Sequence, residues 1–426
     1  MAVLTAKTHK DDSESLATRL LQYYPITGMA LLPYLALIIP QAAYYHNPEV
    51  WVIVRIVGLA FAGSALIETA ALPIRKPYPH REARKAANSR YPRILRVARP
   101  LAIASMAIDI TSAAAGGGTI FTQVSGQAAV SPIVTLTTPF NGWRYVAAAL
   151  FVSAYFGGYA TKATFYRWMA AMFGAQLVIA AYTARAAPIA GFISFAIMGA
   201  LMCGLVRVRS AAIIGFILLL AWPAIFAARN EIRERGGVAV PDQITAENRI
   251  RLDEQVSRVG RYAVPVEIQD MPGPAEVIRY GAVPRFLDPD RPLLSTGGLI
   301  NEAMGGGRTS AYTFLLIGTV YFLHGPSGVV AYFAAWAVFF VLLLRTGKGP
   351  GPGRLAMIFL AITGPFGWIA TYPDVLIGYV QNLVAAVPVL FGLHIVARRT
   401  GKSPGVAETS APPLTAGIRR QVGVGH

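Results

Sequence analysis

The chain has 426 residues, of which 54% are hydrophobic and only 14% charged, with a formal net charge of +17. A water-facing surface normally draws on about 25% charged residues, so these proportions exclude an ordinary soluble domain and require a membrane around much of the chain. The single cysteine, Cys203, excludes an intramolecular disulfide and any cysteine-rich metal site.

Residues 1–26 hold Lys7, Lys10 and Arg19 among acidic and polar residues, unlike a secretory leader, and are expected to form a cytoplasmic N-terminal segment. Apolar runs follow near 27–45, 50–73, 97–114, 144–160, 167–184, 187–205, 210–228, 328–344, 355–371 and 375–396. Each suits a helix crossing a hydrocarbon core of about 30 Å. Within the second run, Arg55 and Glu68 are expected to pair with each other or to face the bundle. Between the second and third runs lies RKPYPHREARKAANSRYPRILRVAR, with nine Lys or Arg and one Glu. Lysine and arginine accumulate in cytoplasmic loops, so this block places the N-terminus and residues 75–96 inside. Alternation then puts seven spans in 27–228 and leaves 229–309 outside. The basic stretches RTGKGPGPGR and ARRTGK fall inside only if 310–327 dips in from the exterior and returns. The expected fold is therefore an all-α polytopic membrane protein with about ten transmembrane helices plus one re-entrant segment and a large extracytoplasmic loop. Residues 328–396 would hold the last three spans and 397–426 a flexible cytoplasmic tail of biased composition. Eleven full spans with an exception to the charge rule is the alternative.

Residues 229–309 contain 11 arginines, 12 acidic residues and no lysine. The segment is nearly neutral, so the net charge is cytoplasmic topology charge and no nucleic-acid partner is expected. Guanidinium offers a rigid fork of donors that grips phosphate or carboxylate, although the whole chain prefers arginine to lysine. AENRIRLDEQVSRVGRY is expected as an amphipathic helix at the outer surface, with Arg258 and Arg261 either facing a ligand or paired within the helix. The proline-rich VPVEIQDMPGPAEVIRYGAVPRFLDPDRP is expected as a loop of fixed shape, bearing Arg279, Arg285 and Arg291, which Asp288 and Asp290 could neutralise. Gly305, Gly306 and Gly307 precede Arg308, where successive backbone N–H groups could cradle anionic oxygens.

Elsewhere, Asp109 near the outer end of the third run is either a functional intramembrane acid or a hydrated cap. Gln123, Asn141, Trp143 and Tyr145 suit sugar hydroxyls and ring faces, and are also ordinary interface residues. His324 could act as a base near neutral pH or simply bond at a helix end. No HExxH motif, histidine cluster or cysteine pair appears, so neither metal nor cofactor is expected.

The stretch VIRYGAVPRFLDPDRPLLSTGGLINEAMGGGRTSAYTFLLIGTVYFLHGPSGVVAYFAAW resembles the bacterial oligosaccharide repeat unit polymerases, the O-antigen and exopolysaccharide polymerase family. The likeness rests on Tyr280 and Gly281, then Pro284, Arg285, Pro289, Arg291 and Pro292, then Gly318, Tyr321, Gly325 and Gly328, over roughly residues 276–340. Arg291 stands where the family has lysine, and Thr319 where it has glutamate. The resemblance implies a glycosyltransferase C-like enzyme of the bacterial plasma membrane that joins polyprenyl-pyrophosphate-linked oligosaccharides and releases polyprenyl pyrophosphate. Partners so implied are the lipid-linked glycans, the bilayer, and a chain-length regulator and flippase of a polysaccharide pathway. The leaving pyrophosphate gathers negative charge that arginines can stabilise. Arg285, Arg291 and Arg308 are the expected catalytic groups, with Glu302, Asp288 or His324 as base. Arg279, Tyr280, Arg258, Arg261, Gln123 and Arg144 are the expected substrate contacts. A glycan ligase with the same donor, or a polysaccharide or lipid transporter, is the alternative.

Overall fold

The computed structural model describes residues 21, 23–73, 85, 87–117, 131–183, 185, 187–235, 245–247, 251–284, 287–288, 296–307, 311–344, 351–367 and 371–397. Every regular element among them is helical. In chain order these are α1 (Pro25–Tyr44, with a π-helical turn at Tyr34–Ile38), α2 (Val50–Ala70), α3 (Leu95–Ala114), the short α4 (Pro132–Thr137), α5 (Trp143–Phe156), α6 (Lys162–Thr183) and α7 (Ala187–Met202). There follow α8 (Val208–Arg235), α9 (Leu252–Ser257), α10 (Pro274–Ala282), α11 (Thr296–Ala303), α12 (Leu315–Leu344), α13 (Pro352–Thr363) and α14 (Asp374–Ala397).

Among the described residues six helices are long and apolar enough to cross a membrane: α1, α2, α3, α8, α12 and α14. The chain is a multi-pass membrane protein, but the expected ten spans with a re-entrant segment, and with them the glycosyltransferase C-like architecture, are corrected. The reason is length and burial. Helices α5, α7 and α13 have 14, 16 and 12 residues, or roughly 18–24 Å at the α-helical rise, against a core of about 30 Å. All of Tyr145–Ala154 in α5 is buried, packed by α3, α6, α13 and α14. Its uniform apolarity is that of a core helix rather than a lipid-facing one. Helix α6 is long enough at 22 residues, but with Lys162, Arg167 and Gln176 it is not apolar enough.

The re-entrant segment is corrected by continuity. Residues Leu315–Leu344 form one helical stretch broken at Gly325, whose φ of 65° and ψ of −165° belong to a region open essentially to glycine. Gly318 lies against Val256 of α9 beside the first end of α2, and Val330 lies against Gly63, deep in α2. The stretch therefore continues along α2 past the break instead of returning. At the break the Phe322 carbonyl accepts the Val266 N–H at 2.8 Å, so the interrupted ladder is repaired by the segment after α9.

One local expectation is resolved and another changes. Arg55 is exposed while Glu68 is fully buried, so the two do not pair and Glu68 alone faces the bundle, as the second alternative had it. The Glu68 carboxylate instead accepts the N–H groups of Ile26 (2.8 Å) and Thr27 (3.2 Å), capping α1, where four backbone donors lack intrahelical partners. The proline-rich stretch holds a helix, α10, because Pro274 occupies its first turn, where a missing N–H costs nothing. The Glu276 side chain then accepts the Gly273 N–H at 2.8 Å, closing the start.

Candidate functional site

A polar assembly among the helices begins with Asp109 on α3, which is 5% exposed. A buried carboxylate is costly unless paired. Arg144, in the first turn of α5, donates to Asp109 Oδ2 at 2.7 Å, and Gln176 of α6 donates to the same oxygen at 3.5 Å. The Arg144 guanidinium also lies 4.9 Å from the centre of the Tyr145 ring, a cation–π contact. Asp109, Arg144 and Gln176 line a cavity of about 360 Å³ together with Asn141, Thr138 and Arg185. Burial pushes the Arg185 guanidinium down from its usual range, and arginine stays charged even so. The cavity thus holds two guanidiniums and one carboxylate, edged by amides and hydroxyls. That set can bind an anionic group and the hydroxyls attached to it.

Helix α14 connects this cavity to the arginine-bearing segment. The Tyr280 carbonyl accepts the Gln381 Nε2–H at 3.1 Å, and Gly281 lies so close to Val380 that a Cβ there would be 2.4 Å from the valine Cβ. One residue along, Asn382 lies against Gly142, and Trp143 donates its indole N–H to the Ala385 carbonyl at 2.8 Å. The last turn of α10 and the start of α5, with Arg144, therefore flank one turn of α14. Thr296 donates a hydrogen bond to Asp374 at the first residue of that helix.

Several expected substrate contacts are engaged in ion pairs. Arg279 donates to Asp288 Oδ1 at 2.6 Å, and this bond holds its guanidinium above the usual range. Asp288 is thus the neutralising partner foreseen for the loop, and its buried Oδ2 has no hydrogen-bond partner. Arg258 pairs with Glu254 four residues earlier at 2.5 Å and lies 5.8 Å from the Tyr312 ring. Burial pushes the Tyr312 phenol up to about 12. Arg261 donates to Glu49 at 3.1 Å, tying the 3₁₀ turn Arg258–Arg261 to the entry of α2. Helix α9 is consequently not a surface-lying amphipathic helix. Asp253 is fully buried, held by Arg251 (2.9 and 3.1 Å) and Asn47 (2.9 Å). Burial pushes its carboxyl up, and those hydrogen bonds outweigh the burial and hold it below the usual aspartate value.

Of the candidate bases, Glu302 is exposed on α11 and His324 is exposed at the Gly325 break, 5.1 Å edge-to-face from Tyr372. Arg285, Arg291, Arg308 and Gln123 lie outside the described residues. Sequence reasoning singled out Asp109, Asn141 and Arg144 separately but not as one site, and it missed Gln176 and Arg185. The available signal was polarity: a glutamine well inside α6 and an arginine between two helices. No family model, curated protein or solved structure matches this chain.

Proposed function

We propose that this protein transfers glycan from a polyprenyl-pyrophosphate-linked donor to a second lipid-linked repeat on the non-cytoplasmic side of its membrane. The observation that carries the reading is the approach, across one turn of α14, of α10, which bears Arg279, to a cavity lined by two guanidiniums and one carboxylate. A sugar joined through its anomeric carbon to pyrophosphate offers both chemistries that such a site accepts, anionic oxygens and a polyol.

The side of the membrane is supported without counting spans. Helix α3 starts at the basic block, and Asp109 lies about 21 Å further along its axis. The basic end of α3 belongs on the cytoplasmic side by the charge rule, which leaves the cavity at the opposite face, and α10 shares that face because Tyr280 and Gly142 lie at neighbouring residues of α14.

In the transfer, the bond between the anomeric carbon and the phosphate oxygen breaks as the acceptor oxygen forms the glycosidic bond. Arginines stabilise the pyrophosphate as its charge develops. Arg185 and Arg144 serve this in the cavity and Arg279 on α10, and the same role is proposed for Arg285, Arg291 and Arg308, which lie outside the described residues. The acceptor proton goes to a carboxylate, for which Asp288, beside Arg279 and with a free Oδ2, is the candidate. In an extension assay with purified protein, Arg185→Gln is expected to lower the rate at least about tenfold. Its side-chain volume and amide donors retain the fold, judged by an unchanged elution profile. An undiminished rate in that variant would exclude the cavity from the reaction.

A further inference from the structure

At the opposite end of α3 from Asp109, Lys85, Arg90, Arg93, Arg96 and Arg99 are all exposed. Among the described residues none of them forms an ion pair with an acidic side chain. Lys162, exposed at the start of α6, belongs to the same end, because the neighbouring Tyr159 donates its hydroxyl to the Ser89 carbonyl at 2.7 Å. The face on which the arginines lie is informative. Exposed Arg96, Arg99, Ile103 and Ala107 follow one another at intervals of three or four residues and so share one side of α3. Ile103 is 57% exposed in a membrane-length helix, which makes that side lipid-facing. Arg99 stands one turn, about 6 Å, above Ile103, at the depth where acyl chains give way to headgroups. A basic cluster serving only topology could point anywhere around the helix; this one points along the bilayer edge.

We infer that the exposed Arg93–Arg96–Arg99 row, with Arg90, Lys85 and Lys162 beside it, is a binding site for the phosphate headgroups of anionic phospholipids in the leaflet at the basic end of α3. Guanidinium matches phosphate through paired N–H donors. A cluster of this size immediately outside a membrane helix attracts anionic lipid, and each Arg near the surface multiplies affinity about fivefold. The ligand is lateral and structural, distinct from whatever occupies the cavity across the membrane, and its binding does not depend on the glycosyl-transfer reading.

The test is lipid titration of the detergent-purified full chain, followed by native mass spectrometry, with phosphatidylglycerol and phosphatidylcholine of identical acyl chains. Wild type is expected to retain phosphatidylglycerol at least about tenfold more tightly, and the Arg93→Gln/Arg96→Gln/Arg99→Gln variant is expected to lose roughly 100-fold in phosphatidylglycerol affinity with phosphatidylcholine unchanged. Equal affinity of wild type for the two lipids, or a full preference surviving in the variant, would overturn the inference. Should the variant fail to fold, wild type alone decides: at about 1 M salt, where screening acts over roughly 3 Å, the preference is expected to vanish, and its persistence would place the lipid contact elsewhere.

Discussion

Asp109 and Asp253 are both buried carboxylates held by arginine, yet they sit in different solvents. Asp109 lies on a membrane-length helix, and Arg144 with Gln176 replaces the water it lacks. Removing one partner of such a pair costs about 3–5 kcal/mol, so Arg144→Ala is a folding variant before it is a functional one. That is why Arg185 is the sharper probe of the cavity. Asp253 lies in the aqueous segment, where its charge responds to pH. Its folded pKa is below the ordinary value. The stability it supplies is therefore complete above that ordinary value and is lost as pH falls through the folded one. Comparing the melting temperatures of wild type and Asp253→Asn should show a constant gap from pH 7 down to about pH 5, closing in more acidic buffer. A gap that widens on acidification would mean that Asp253 is held neutral.

At the scale of elements, α10 shows how a loop-like composition becomes a fixed helix. Its Pro274 and Glu276 start it, and Gly281 lets it seat on α14 at Val380. A Gly281→Ala methyl has no room, so about 1–3 kcal/mol of strain is expected. The same change at Gly378 on the partner helix meets nothing within 4 Å and should stabilise by about 0.5–1 kcal/mol through helix propensity. Limited proteolysis after α10 should accelerate in the first variant and not in the second; equal rates would detach α10 from α14. Hydropathy made α1, α2, α3, α8 and α14 legible as spans, because lipid imposes both length and apolarity on them. It misread α5, α7 and α13, since a helix enclosed by other helices is as apolar as one facing lipid and only its length differs. The break at Gly325 falls within the expected re-entrant segment 310–327, but its consequence depends on α2 and on Val266 accommodating the interruption. The joining of Asp109 to Arg144 spans 35 residues, beyond the reach of any local pattern.

For the whole molecule, the basic end of α3 assigns one face and the cavity with α10 the other. Two exposed positions test this: a cysteine at Glu302→Cys should react with an impermeant thiol reagent in intact cells, and one at Arg90→Cys only after lysis. The native Cys203 is buried and should stay silent. Reversed labelling would turn the molecule over and remove the cavity from the side where lipid-linked glycans are joined.

The most direct measurement is made on the purified protein in liposomes supplied with a fluorescent polyprenyl-pyrophosphate-linked repeat and no nucleotide, metal or other protein. A ladder of lipid-linked products is expected, each longer by one repeat, with one polyprenyl pyrophosphate released per bond formed. Movement of the intact repeat across the bilayer without any longer product would contradict it.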